Sequence, residues 1–355
     1  MRRACKPSSK RCRGRKVSGA DALWYGDGIA ARAARGALIP ATWLYRVGIA
    51  VHNRRYAGDG AVQQAQVPVL SLGNVTVGGT GKTPVAAWAA RALRTRGARP
   101  AIVMRGYGAD EPLVHARLNP DVPVVVDADR VRGAARAHAD GADCVVLDDG
   151  FQHRRLGRVS DWVLVAAEQW RDDLRLLPAG PLREPASALG RANILLVTRK
   201  TATHDVAREI AARLGAQFPH AGVASCHLAP DALVHAHTGE EQSLGSLAGL
   251  RIVAIAAVGA PDAFFAQLRA LGAIVDEHAY PDHHAFSYDD VTKLSSAARG
   301  ADALVCTLKD AVKLAPLWTA ASAPLWYVSQ IAVIEQGAAL LDQALESVLA
   351  ARQPA

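Results

Sequence analysis

A chain of 355 residues, 50% of them apolar, can bury the cores of one large or two medium α/β domains, and two are expected here. The five cysteines (Cys5, Cys12, Cys144, Cys226 and Cys306) are odd in number and lack CxxC spacing, which excludes a disulfide scaffold and fits a reducing cytosol. The formal charge of +8 is no nucleic-acid signal: eight of the 41 basic residues lie in 1–18, which hold no acid, so the rest of the chain carries 33 of each sign, and no aromatic residues interleave with the basic run.

That basic tail, with its boundary placed at residue 20, is expected to be disordered. No secretory apolar core and cleavage site follow it, because Asp21 and Asp27 interrupt the next stretch. From Gly36 to Tyr56, Ile39, Trp43, Val47 and Val51 fall four apart with Leu44 beside them, one apolar stripe on a helix. The apolar stretch is too short to span a bilayer and contains Arg46, with Arg54 and Arg55 closing it. Two readings of this segment, 21–60, stand side by side. It is an in-plane membrane helix, each nearby basic residue adding about 1 kcal/mol of attraction to anionic lipid, or an ordinary amphipathic helix packed on its own domain.

Beyond Tyr56, apolar strands alternate with amphipathic helices: Val67–Leu72, Val85–Arg94, Ala101–Met104, Val131–Ala139, Cys144–Leu147, Trp162–Ala166 and Ile194–Thr198. This βαβ texture predicts a parallel sheet over 61–217. The Pro/Gly-rich LLPAGPLREP (Leu176–Pro185) reads as a long loop within it. Residues 218–246 are short and polar in texture and serve as the predicted linker. A second βαβ series over 247–355 has a strand at Arg251, a helix at Pro261–Leu271, strands near Ala273–Val275 and Ala303–Cys306, and a terminal helix from Glu335 to Leu349.

Four motifs carry chemistry. The first, VPVLSLGNVTVGGTGKTP, is a strand running into a Gly-rich turn and a helix start. Segment Thr76, Val77, Gly78, Gly79, Thr80, Gly81, Lys82 and Thr83 is the predicted ATP cradle. Glycines let backbone N–H groups close on phosphate oxygens, Lys82 neutralises the β and γ phosphates, and the Thr83 hydroxyl meets Mg2+. Pro84 suits the first helical turn. The GxxxxGK[ST] pattern departs at Thr76, and a mere tight strand-to-helix turn is the bland alternative.

The second motif is the strand Cys144–Leu147 delivering Asp148 and Asp149 to its carboxyl end, where ligands of open α/β sheets sit. Alone it reads as a solvated turn; downstream of a P-loop it reads as a magnesium-holding pair. In the third, RGYGADEP, Asp110 is a candidate base for an acceptor hydroxyl, beside Arg105, Tyr107 and Glu111, against the alternative of an ordinary charged loop. The fourth is YPDHHAF, whose adjacent Asp282, His283 and His284 diverge and find no further Cys/His to complete a metal set, so a histidine reaching across a cleft fits better.

Together these segments resemble the tetraacyldisaccharide 4'-kinase family of lipid A biosynthesis over nearly the whole chain after Asp21. GNVTVGGTGKTP, RGYG with DEP, Asp129-Arg130, VLDDGFQHRRL, LLPAGPLREP, PDHH and KDAVKL occur in the family's order. The resemblance implies a P-loop NTPase-like three-layer α/β/α domain, a smaller second α/β domain joined through a β-ribbon, and an N-terminal membrane-associating helix, tipping the two readings of that helix toward the membrane. It implies transfer of the ATP γ-phosphate to the 4'-hydroxyl of a tetraacylated disaccharide 1-phosphate at the cytoplasmic face of the inner membrane, with no nucleic acid and no obligate protein partner.

Carried over residue by residue, the resemblance implies a catalytic dyad of Asp110 and His283. It places Glu111, Asp148 and Asp149 around the metal and phosphates, with Thr83, Asp148 and Glu111 toward Mg2+, and Arg183 at the active site. This sequence departs from the family pattern where RGYG runs almost straight into ADEP, where Ala109 replaces a usual Gly, and where Leu308 stands for a common Glu. A nucleotide-switch ATPase or GTPase is the rival reading; no guanine-reading NKxD is present to favour it.

Overall fold

The computed structural model describes residues 19–56, 62–106, 108, 110–319 and 323–352. The tail 1–18, with Cys5 and Cys12, lies outside the described residues, as do Tyr107 and Ala109. Three helices open the chain: α1 (Gly19–Tyr25), α2 (Ile29–Ala37) and α3 (Ile39–Arg54). The expected stripe from Ile39 to Val51 lies on the single helix α3, which begins after Leu38 with Pro40 in its first turn, where the missing N–H is not needed, while Gly36 and Ala37 end α2.

The first α/β series runs β1 (Val69–Asn74), α4 (Lys82–Thr95), β2 (Pro100–Met104), α5 (Asp110–Leu118), β3 (Val124–Val126), α6 (Arg130–Ala139), β4 (Cys144–Asp148), β5 (Ser160–Ala166), β6 (Ile194–Arg199) and α7 (His204–Gln217). Strands β1, β2, β4 and β5 are buried along their whole length, which explains their unbroken apolar runs: helices cover both faces of a parallel sheet. Val85, Ala86, Ala89, Ala90 and Leu93 form the buried stripe of α4, and a leucine such as Leu93 buried in full contributes about 1.5–3 kcal/mol.

The second series runs β7 (Gly222–His235), β8 (Glu241–Ser243), β9 (Arg251–Ala256), α8 (Pro261–Ala270), β10 (Ile274–Ala279), α9 (Tyr288–Ala297), β11 (Ala303–Thr307), α10 (Leu308–Leu314), β12 (Leu325–Gln336) and α11 (Ala338–Ala350). Within the expected β-ribbon linker 218–246, β7 is a 14-residue strand, and its antiparallel partner β12 comes from the far end of the chain. Glu335, the expected start of the last helix, belongs to β12; Gly337 at φ 77° makes the break. Helix α11 returns to the first series, packing Leu341, Leu345 and Val348 into one cluster with α4 and β1.

All described strands join one sheet, ordered β10-β9-β11-β12-β7-β6-β5-β1-β4-β2-β3, with β8 on β7. Neighbours are parallel except β12–β7 and β7–β8. The first half of β7 continues the first series beside β6, whereas its far end meets the start of β12, which lies parallel to β11. Strands of the second series thus run back toward those of the first along the ribbon. The carboxyl ends of both sets therefore face one cleft, and in such sheets the carboxyl ends carry the ligand site.

Candidate active site

The turn after β1 enters α4 with Gly78 at φ 119° and Gly81 at φ 82°, conformations that a side chain at Cβ disfavours. Two amides of the expected cradle are engaged elsewhere: Val77 N–H donates to the Pro181 carbonyl (2.8 Å) and Thr80 N–H to the Gly78 carbonyl (3.0 Å). Thr76 forms an antiparallel bridge with Leu182. Of the expected cradle Thr76–Thr83, the Val77 and Thr80 amides are thus committed within the protein, while the first turn of α4 from Lys82 leaves N–H groups without intrahelical acceptors. The LLPAGPLREP loop braces this turn, since Arg183 N–H also donates to the Val75 carbonyl (2.7 Å).

Lys82 Nζ donates to Asn74 Oδ1 (3.1 Å) and lies 3.6 Å from Asp149 Oδ1. Asp149, at φ 59°, is turned away from its neighbour and toward Arg183, whose guanidinium grips it with two bonds, Nη1 to Oδ2 (3.0 Å) and Nη2 to Oδ1 (2.8 Å). Burial alone would raise the Asp149 pKa, but the Arg183 hydrogen bonds and the charges of Lys82, Arg183 and Arg130 outweigh it and bring it down to about 2. Asp149 is a fixed anion that holds two cations at the mouth of the turn.

Asp148 goes the other way. It is 4% exposed; Oδ2 lies 2.8 Å from His115 Nε2, and Oδ1 is buried with no hydrogen-bond partner. Helix α5 brings Asp110 and Glu111 in its first turn to the same edge, where acids suit the positive end of the helix. Burial and the Asp148 and Asp110 carboxylates push the Glu111 pKa up, with Lys309 and Lys82 opposing.

Asp110 is 4% exposed, and its Oδ2 lies 3.3 Å from Nδ1 of His283 on the second series. A Cβ at Gly108 would stand 2.4 Å from Asp110 Oδ1, so any larger residue there would push the carboxylate from this position. His283 is held at φ 58° after β10, with its N–H on the Ala257 carbonyl (3.3 Å) and on Asp282 Oδ1 (3.1 Å). Asp149 and His283 are the two non-glycine residues at positive φ among the described residues, and both stand in this cleft. A left-handed conformation costs a non-glycine residue on the order of 1–3 kcal/mol, which the surrounding contacts must offset. His284 diverges to Asp290 (3.1 Å).

All the expected catalytic residues therefore line one cleft between the two series. Sequence reasoning assigned no role to Asn74, His115 or Lys309. Asn74 could have been read from its place at the end of the strand before the turn; His115 could not, because its meeting with Asp148 joins residues 33 apart in the chain.

Among the described residues no group of three or more His, Cys, Asp or Glu is arranged to hold a metal by itself. A magnesium ion that takes one or two carboxylates and completes its shell with phosphate oxygens and water fits the site. The buried, unpartnered Oδ1 of Asp148 is a ready ligand, and the crowding of Asp110, Glu111 and Asp148 is relieved by a divalent cation.

Beside the cleft, α3 docks on the LLPAGPLREP loop through Thr42, whose Oγ1 accepts from Ala179 N–H (3.3 Å), and Tyr45, whose hydroxyl donates to the Arg183 carbonyl (2.9 Å). Asn53 adds a bond from Nδ2 to Glu184 Oε2 (3.2 Å). The other side of α3 shows Ile39, Trp43, Leu44, Val47 and Val51 to solvent, Leu44 at 77% exposure, so the apolar stripe is not what attaches the helix to its own domain. No helix of the described residues is long and apolar enough to cross a membrane.

Comparison with known proteins follows the same lines. The family model described as tetraacyldisaccharide-1-P 4'-kinase, LpxK, matches residues 34–110 and 108–350, with the break falling where RGYG runs into DEP. A protein of Anaeromyxobacter sp. (strain Fw109-5) named tetraacyldisaccharide 4'-kinase is 37% identical over 94% of this chain and 97% of its own length. One of the same name from Syntrophus aciditrophicus (strain SB) is 37% identical over 77% of this chain and 83% of its own. The crystal structure of LpxK from Aquifex aeolicus in complex with ATP superposes with a TM-score of 0.71 at 26% identity, covering 88% of this chain and 99% of that one. By sequence and by fold, the chain belongs to the tetraacyldisaccharide 4'-kinase family, a group of ATP-dependent kinases.

Proposed function

We propose that the protein transfers the γ-phosphate of ATP to the 4'-hydroxyl of a tetraacylated glucosamine disaccharide 1-phosphate, giving the lipid IVA precursor of lipid A. The observation that carries this reading is the meeting of Asp110 and His283 at 3.3 Å, beside a phosphate-binding turn. A switch protein that only hydrolyses nucleotide has no need of a histidine brought from the second series onto a buried carboxylate in the cleft.

Gly78, Gly79, Gly81, Lys82 and Thr83 hold the phosphates, while Thr83 and Asp148, with Glu111 nearby, would hold Mg2+. Held there, that ion would supply positive charge against the negative charge that develops on the phosphates. Asp110 accepts the proton of the acceptor hydroxyl; His283, whose Nδ1 stands 3.3 Å from Asp110 Oδ2, is placed to orient the carboxylate. Arg183 and Lys82, both anchored on Asp149, supply positive charge where negative charge spreads over the transferred group.

Transfer of labelled γ-phosphate to tetraacyldisaccharide 1-phosphate in detergent micelles tests the reading. The intact protein should label the lipid, and His283→Ala, which removes only the orienting partner, should lose about 10- to 100-fold, below the full worth of a general base. Acceptor-independent hydrolysis with no labelled lipid would put the nucleotide-switch reading in its place.

The lipid approaches along α3, at the cytoplasmic face of the inner membrane. Its exposed stripe lies in the interface plane while Tyr45 and Asn53 on its other side touch Arg183 and Glu184, so an acyl chain resting on the stripe is one helix diameter from the cleft. Co-sedimentation with vesicles containing anionic lipid should be strong for the intact protein and reduced about tenfold or more by the pair Trp43→Glu and Leu44→Glu, which removes two exposed apolar side chains from the proposed membrane contact. Equal sedimentation of that variant would show that α3 is not the membrane contact.

A further inference from the structure

We infer that His115 is a positioning residue for the magnesium carboxylate, a strut that ties Asp148 to the helix carrying Asp110 and Glu111. The inference rests on the reading of Asp148 as a magnesium ligand.

His115 lies in the last turn of α5, is fully buried, and has a single ring partner: Nε2 stands 2.8 Å from Asp148 Oδ2, while Nδ1 has none. An ionised carboxylate can only accept, so Nε2 carries the hydrogen and donates. A buried imidazole is costly to leave with one nitrogen unpaired, and a core position at this point of an amphipathic helix is filled more stably by leucine. The ring is therefore better explained by what it does to Asp148 than by packing.

Two consequences follow for the site. Asp148 carries two oxygens with opposite fates: Oδ2 is committed to His115, and Oδ1, buried and unpartnered, is the atom left for the ion. The bond fixes the side-chain torsion of Asp148, so that Oδ1 does not have to be oriented when the ion arrives, and outer-shell hydrogen bonds of this kind govern metal affinity. The same bond also sets the spacing between β4 and α5. Asp110 and Glu111 stand in the first turn of α5 and His115 in its last, so the separation between the metal carboxylate and the proposed base is held through one rigid helix.

The side-chain geometry supplies a discriminating set of variants. Glutamine reaches as far as Nε2 and keeps a donor there. Asparagine places its amide near Nδ1, which has no partner, and stops short of Asp148. Leucine fills the volume with no donor. Calorimetric titration of ATP into the full-length protein, at stepped Mg2+ and in EDTA, reads metal binding apart from turnover.

His115→Asn and His115→Leu should each raise the Mg2+ concentration that gives half of the tightening of ATP binding by about 10- to 100-fold, while ATP affinity in EDTA stays within about twofold. His115→Gln should stay within about threefold of the intact protein at every Mg2+ concentration, since the donor is restored. Asparagine and leucine variants that match the intact protein, or a glutamine variant as weak as they are, would overturn the inference. Asp148→Asn separates the two levels of the argument. If it leaves the Mg2+ dependence unchanged, the reading of Asp148 as a ligand fails; if it abolishes that dependence while the His115 variants do not shift it, only the strut fails.

Discussion

Asp110→Ala is expected to lower phosphate transfer by about 100- to 10,000-fold, the range typical of a positioned general base, while ATP affinity stays nearly intact. Asp110 stands at the start of α5, 4% exposed, against His283 and the tight pass of Gly108, and makes none of the contacts of the phosphate-binding turn. Its loss removes the proton acceptor and leaves the cradle of Gly78–Thr83 in place. Single-turnover transfer together with equilibrium ATP binding checks both halves of the expectation. Near-normal turnover would remove Asp110 from the mechanism, and a parallel loss of ATP affinity would recast it as part of the nucleotide site. In a background of Asp110→Ala, His283→Ala should add little, because an orienting group has nothing left to orient.

Lys82→Ala is expected to be at least as damaging, by on the order of 100- to 1,000-fold in turnover, and to weaken ATP binding as well. Phosphoryl transfer depends on positioning and charge stabilisation more than on proton transfer, and Lys82 carries its charge at the start of α4, where the proposal places the phosphates. Its Nζ is held by Asn74 and Asp149, a partly buried arrangement in which removing the ammonium also leaves Asp149 with Arg183 as its direct partner. ATP titration and lipid phosphorylation on one preparation decide the matter. A variant that binds ATP normally but fails in turnover would confine Lys82 to the transferred group, whereas one that keeps both would sink the assignment of the turn as the phosphate cradle.

Much of this molecule was legible in the chain itself. The buried strands of the first series are continuous apolar runs because a parallel sheet covered on both faces has no polar side to alternate with, and the Gly-rich turn announces itself because positive φ admits few other residues. Elements with mixed signals were not read. RGYGADEP had an ordinary charged loop as its alternative reading, although from Asp110 onward it opens a helix whose acids in the first turn and His115 and Arg117 in the last match its own dipole. The ribbon partner of β7 was not read, because β12 lies about a hundred residues away and no local pattern joins the two.

The amino-acid sequence by itself determined the α/β class, the Gly-rich strand-to-helix turn, the acids at the strand ends and the apolar stripe on the first long helix, since each depends on residues close in the chain. The tertiary structure alone decided what those groups do to one another. The long β7–β12 ribbon turns the second series back so that His283 meets Asp110, and the divergence of Asp148 and Asp149 sends one carboxylate to His115 and the other to Arg183 and Lys82. Contacts between distant segments leave no local period or spacing to read, because they are set by sheet order and strand direction, which the chain fixes only when it packs.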